Sequence, residues 1–434
     1  MEQHNYPKLG ETLYRTTLAN GLQVNLLPKP DYHKTYAVFT TNYGSIDRTF
    51  QPIGQSEMVT LPDGIAHFLE HKLFEKKAGD IFEVFGKLGA NANAFTSFTR
   101  TSYLFSATSR IRENLETLLD FVQDPYFTEA SVNKEKGIIG QEIQMYDDDP
   151  NWRLFFGLIQ NMYAQHPVRI DIAGTVASIA QITVADLYLA YRTFYQPQNM
   201  NLFVVGHIDP DATLAWITAN QAQKDFPTPT PPQRQLPQEA ADGSDIVAHR
   251  TIEMAVQRPK VMLGIKGLDK VPTGRAGLVY RTSLNLLFEV LFNDSSAAYL
   301  KLYDQGILDD TFGYEVDLER SFHFAGLSVD TQKPDQFVQA IQAVLQQATT
   351  GAGLTEARLA LVKREMLGKF WQSFNSLEYI ANQYAGDDFG TASLFDLPEI
   401  MAQIQVTDLQ QVAQRFIRLE AMSVFQINPK VAAR

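Results

Sequence analysis

The sequence contains no cysteine. Disulfides and thiolate ligands are excluded together, so any bound metal has to be held by histidines and carboxylates. Basic residues are also short, 37 against 49 acidic, for a formal net charge of -12. With no clustered Lys and Arg to neutralise phosphates, nucleic acid is not an expected partner. Long apolar runs are missing too. None approaches the roughly 18 residues needed to cross a bilayer, and the polar opening MEQHNYPKLGETLYRTTLANG lacks the apolar core of a secretion signal. The expectation is a cytoplasmic chain without a membrane partner.

What is present is organised as a repeat. AQITVADL (180 to 187) returns as AQIQVTDL (402 to 409), Phe194 as Phe416, and NLFVVG (201 to 206) as SVFQIN (423 to 428), all at a spacing of 222. Nearer the front of each half, LFEKKAGDIFEVFGKLG (73 to 89) resembles LFNDSSAAYLKLYDQG (291 to 306). A period this long marks a duplicated domain, because solenoid units run to only about 20 to 50 residues. The two copies, 1–225 and 246–434, are separated by a proline-rich segment, 226–245, whose composition suits a semi-rigid spacer. Within the copies, LQVNLLPKP, TYAVFTTNYGS and ANANAFTSFTRTSYLFSAT have strand or hairpin character. DGIAHFLEHKLF, RENLETLLDFVQ, SVNKEKGIIGQEIQMY and TVADLYLAYRTFY carry apolar residues at helical spacing. Strands and helices without regular βαβ alternation predict an α+β fold of two homologous repeats, each an antiparallel-rich sheet packed with helices.

Histidine is scarce, eight in all, yet two of them stand four apart in GIAHFLEH. In a helix, His67 and His71 share a face, with Glu70 on the adjoining edge. A catalytic zinc usually takes three protein ligands and keeps one position open, so a third must come from elsewhere. The helical stretch SVNKEKGIIGQEIQMY offers Glu135 and Glu142, two turns apart on one face. A carboxylate on such a stripe is costly unless paired or metal-bound, and periodicity leaves both candidates open. His166 and His323 have no metal-spaced partner and read as structural. The acidic run 147–149 lacks the alternating spacing of a calcium loop and reads as a solvated helix end.

HFLEH and the downstream EKGIIGQEIQMYDDDP, together with NAFT (93 to 96) and HPVRIDIAGT (166 to 175), resemble the inverted zincin motif and its companions in the M16 metallopeptidases, the family of pitrilysin, insulinase and mitochondrial processing peptidase. The likeness covers nearly the whole chain and is to the short bacterial members. It implies that one zinc ion is held by His67, His71 and Glu142, with Glu70 as general base and Glu135 as a supporting carboxylate. It also implies that a peptide substrate adds as a strand along Asn93, Ala94, Phe95 and Thr96. A half-clamshell of two repeats is the implied architecture, with no metal site in the second repeat. Two such halves enclose peptides or unfolded segments. Where the family's second repeat carries an Arg and Tyr pair for substrate, LYDQGILDD (302 to 310) offers Leu302 and Asp309. The resemblance therefore implies a heterodimer with a second M16-like chain that lacks HxxEH and keeps that pair, with a homodimer as the alternative. A noncatalytic scaffold subunit is the rival reading of the fold.

Overall fold

The computed structural model describes residues 1–226, 231–386, 389–390 and 392–430. Numbering only strands of five residues or more, the first sheet contains β1 (Glu2–Tyr6), β2 (Glu11–Thr17), β3 (Gln23–Pro28), β4 (Thr35–Thr41), β5 (Ala90–Thr96), β6 (Thr101–Ala107) and β7 (Met200–Gly206). Their order across the sheet is β1-β2-β3-β7-β4-β6-β5, and the one parallel pair is β3 with β7. The second sheet is built from β8 (His249–Met254), β9 (Lys260–Lys266), β10 (Gly313–Leu318), β11 (His323–Asp330) and β12 (Met422–Pro429). It runs β8-β12-β9-β11-β10, again with one parallel pair, β8 with β12. Strands three to seven of the first sheet thus recur in the second with the same order and sense, as the sequence repeat predicts.

Every residue of β4, TYAVFTT, is buried. Helices Ile111–Gln123 and Leu377–Gly386 both pack on this strand, and a strand covered on both faces favours the β-branched and aromatic residues found in it. The expected helices are present, and so is the β5–β6 hairpin.

Compact units do not follow the linear halves. One comprises Met1–Ile143, Ile170–Leu236 and Ser373–Asp387; the other comprises Gln144–Arg169, Pro237–Gln372 and Asp388–Arg434. In the first unit, helix Leu377–Gly386 lies on β4 and β7, its Tyr384 hydroxyl donating to Asn25 Oδ1 at 2.8 Å and its Glu378 paired with Lys34. Within the second, helix Pro150–Met162 lies on β9 and β12. Gly157 lets the Phe425 ring reach its backbone, where an added Cβ would come within 2.3 Å, and Asn161 Nδ2 donates to Val424 O at 3.2 Å. Each sheet is therefore covered by a helix drawn from the other half of the chain. Asp149, at the end of the acidic run, caps that helix by accepting from the Asn151 and Trp152 amides.

The proline-rich segment is more than a spacer. Residues 227–230 lie outside the described residues, but Gln233–Arg234 pairs with Thr49–Gln51 and Arg234 meets the buried Asp47 at 2.9 Å. Farther on, Glu239 accepts from Lys266 Nζ at 2.5 Å and from the amides of Ala164, Gln165 and His166. These partners, not visible in a composition count, turn an extended segment into a tether. His166 and His323 are buried and hydrogen-bonded, as structural residues should be: His166 Nδ1 accepts from the Val168 amide, and His323 Nε2 faces Asp269 at 2.9 Å.

Burial alone would raise the Glu239 carboxyl, but Lys266 and the His166 and Gln165 amides outweigh it and hold the group at about 2, against an ordinary 4.5. The folded value is depressed, so its contribution is full above pH 4.5 and is lost as pH falls toward 2. Glu239→Gln should cost about 2 kcal/mol at pH 7, allowing for partial exposure of the pair. The gap between variant and parent in urea midpoint should narrow from pH 5 to pH 3; a gap independent of pH would contradict this account.

Candidate metal centre

Helix α1 (Ile65–Leu73) begins at Gly64, whose φ of 87° lies in the left-handed region. A Cβ there would stand 2.3 Å from Ala173 O, and one at Gly174 would stand 2.6 Å from Asp63 O. Two glycines thus let two backbones touch, and Ser178 Oγ adds a bond to Asp63 O at 2.9 Å. This contact, made by the AGT of HPVRIDIAGT, sets where α1 starts and hence where its third and seventh residues point.

Those residues are His67 and His71, with ring centroids 4.6 Å apart. Helix α2 (Glu129–Asp148) brings Glu142 against both: Oε1 lies 3.6 Å from His67 Nε2, and Oε2 lies 3.6 Å from His71 Nε2. One ligand atom from each residue falls within 4.8 Å of the others, the one such group among the described residues. At 3.6 Å these atoms are too far apart for hydrogen bonds. The two carboxylate–imidazole spacings approach the roughly 3.4 Å edge of a tetrahedron with arms of about 2.0 to 2.1 Å, the size a zinc ion calls for.

Burial, and after it the neighbouring His71, pushes the His67 imidazole down to about 4, so it is neutral near pH 7, the form that ligates metal. For His71, burial works in the same direction, but the bond to Glu135 and the surrounding carboxylates raise it. Glu135 Oε1 lies 3.0 Å from His71 Nδ1, the partner that turns the other ring nitrogen toward Glu142. The two glutamates that periodicity left open are thereby separated: Glu142 faces both imidazoles across the gap, and Glu135 stands behind one of them.

Glu70 is aimed past the histidines at β5, where Thr96 Oγ1 donates to its Oε2 at 2.5 Å. Burial raises this carboxyl and the Thr96 bond opposes the rise. Strand β5 is an edge of its sheet, its inner side paired with β6 from Ala90 to Thr96. Asn93 and Ala94 line a cleft of about 490 Å³ with Glu70, His71 and Glu135. Asn93 Oδ1 accepts from the Ala94 amide at 2.9 Å, and Arg100 stacks over the Phe95 ring. Thr96 is near the strand's end with its hydroxyl committed to Glu70, so its side chain serves the glutamate. Three apolar cleft residues escaped the sequence reading: Phe74, Phe82 and Ile138. Phe82 and Ile138 are exposed at 45% and 46%, large for apolar side chains. The cue was there, in apolar residues on the outer faces of otherwise amphipathic helices.

At the matching place in the second repeat, Glu289 stands where His71 does in the first. Its neighbours are the Tyr314 hydroxyl and Lys369. The Lys369 ammonium supplies the positive charge there.

Residues 60–176 match the family described as insulinase (peptidase family M16), and residues 181–366 match its companion, the peptidase M16 inactive domain. The zinc protease YmfH of Bacillus subtilis, itself uncharacterised, is 50% identical over 98% of each chain. Among solved structures, an M16-like peptidase from Alicyclobacillus acidocaldarius superposes with a TM-score of 0.91 at 34% identity, covering 97% of this chain and 99% of that one. A Helicobacter pylori protease shares the fold, with a TM-score of 0.81 at 22% identity, over 96% and 99%. The chain belongs to peptidase family M16. No helix among the described residues is long and apolar enough to cross a membrane.

The glycine contact makes a direct prediction. Gly64→Ala should force α1 away from Ala173, cost about 2 kcal/mol or more, and weaken zinc uptake at least tenfold. Thermal melts and a chelator competition on the variant would check both; unchanged zinc affinity would show that the helix start does not set the ligand positions.

Proposed function

We propose that this chain is a zinc endopeptidase acting on peptides or unfolded segments, with His67, His71 and Glu142 holding one Zn2+ and Glu70 as general base. The observation that carries the reading is the convergence of two imidazoles and a carboxylate at non-bonded, ligand-like separations, with a separate, partly buried carboxylate beside them. A zinc ion there would polarise a peptide carbonyl and acidify water. Glu70 takes the proton from the attacking water and returns it to the leaving amine; burial lifts its basicity toward that task, and the Thr96 hydroxyl fixes its orientation. Glu135 holds His71 in register. A substrate strand along the open side of β5, at Asn93, Ala94 and Phe95, would present a carbonyl to the cleft through backbone pairing. Such a grip depends little on side chains. We read the chain as cytoplasmic and its halves as 1–225 and 246–434 joined by 226–245. The scaffold reading has less support here, because a noncatalytic subunit has no need of an intact ligand set. Glu70→Gln should leave zinc content unchanged and lower hydrolysis of a quenched peptide by at least about a hundredfold; a fully active Gln variant would sink the assignment.

A second chain completes the reading. Leu302 is buried, and Asp309 is paired with Arg258 at 2.7 Å, so neither offers a donor to a peptide carbonyl. The nearby tyrosines are engaged as well, Tyr303 with Asp310 and Tyr314 with Glu289. We propose a heterodimer in which an M16-like partner lacking HxxEH supplies an Arg and Tyr pair, in preference to a homodimer. Peptidase activity should then rise sharply when such a partner is added to the purified chain. Full activity from this chain by itself would refute it.

A further inference from the structure

On α1, Ile65, Phe68, Leu69 and Lys72 recur at the spacing of a buried stripe, and all four are buried. Three are apolar. The fourth is a lysine whose side chain has no exposed surface. An ammonium in that position is costly unless paired, and its partners are two carboxylates: Glu75, which it touches, and Glu135 Oε2 at 3.7 Å. Glu135 therefore has a separate partner for each oxygen, Lys72 on Oε2 and His71 Nδ1 on Oε1. His67, by contrast, has a buried Nδ1 with no hydrogen-bond partner among the described residues. Only one of the two imidazoles is oriented from behind, and it is oriented by a carboxylate that a buried lysine holds.

We propose that Lys72 is a positioning residue of the metal centre: its ammonium pins one oxygen of Glu135, which keeps the other on His71 Nδ1 and the His71 Nε2 aimed at the cation beside Glu142. The inference rests on the zinc-site reading above. The stripe itself argues for this role over a stabilising one, since replacing a buried ion pair with apolar residues of similar volume is often neutral or stabilising. A methionine would fill the same space. What it would lose is the grip on Glu135, which could then turn away from His71. Glu75, at the start of the short hairpin after α1, binds the same ammonium.

The test is a double-mutant cycle read in Zn2+ affinity, by competition with a chromophoric chelator, alongside thermal melts of the metal-free proteins. Lys72→Met and Glu135→Gln should each weaken zinc binding by about 10- to 100-fold, the usual scale for a partner behind a ligand. Because Lys72 acts through Glu135, the double variant should bind within about threefold of Glu135→Gln, the two losses failing to multiply. Parental affinity in Lys72→Met, or multiplied losses in the double variant, overturns the proposal. Should Lys72→Met fail to fold, with Glu135 Oε2 left without its ammonium, the double variant removes both charges and the comparison with Glu135→Gln alone decides: a further tenfold loss overturns it. A parent that takes up no zinc overturns the metal reading itself, so the two failures are distinguishable.

Discussion

The centre depends on a crossing of two helices. Two imidazoles one turn apart on α1 meet a carboxylate on α2, and a second carboxylate two turns before it passes behind one of them. Neither helix could bury these groups by itself, since an isolated carboxylate or ammonium away from water costs several kcal/mol. Together they find partners: Glu135 sits between His71 and Lys72, Glu70 accepts from Thr96, and Glu142 faces the two histidines. The interlocked glycines at 64 and 174 fix the start of α1, and the β5–β6 hairpin fixes the strand beneath Glu70. A displacement of either support would carry His67 and His71, or Glu70, out of register with Glu142.

Much of this was legible in the residues. The spacing within HFLEH puts both histidines on one face, and strand and helix periods gave the elements because local burial pattern dictates them. Spacing could not choose between Glu135 and Glu142: each lies on the same face of α2, and only the three-dimensional placement of the two helices shows that Glu142 faces Nε2 of both histidines. The edge position of β5 was also hidden, since an edge strand and an interior strand present the same alternation when one face is covered. Lys72 was readable in principle, as a charge on a stripe of Ile65, Phe68 and Leu69. Its significance depends on Glu135, 63 residues away in the sequence.

The second sheet repeats the strand order of the first, yet its chemistry has been replaced. Where α1 offers an imidazole at position 71, the second repeat offers Glu289, held by a tyrosine hydroxyl and faced by a lysine. The scaffold tolerates either solution because both balance buried charge locally, one by side chains alone and the other by two imidazoles and a carboxylate open to a cation.

The helices Pro150–Met162 and Leu377–Gly386 trade places between the halves, each covering the sheet of the other repeat. Cleavage anywhere in the proline-rich segment would thus not release two self-sufficient domains. Each fragment would carry a helix it has no use for and lack the one that seals its own sheet, leaving β4 or β9 with an apolar face toward water. A chain of this kind has given up the modularity of its ancestral duplication. It can be copied or fused whole, but not divided at its own midpoint.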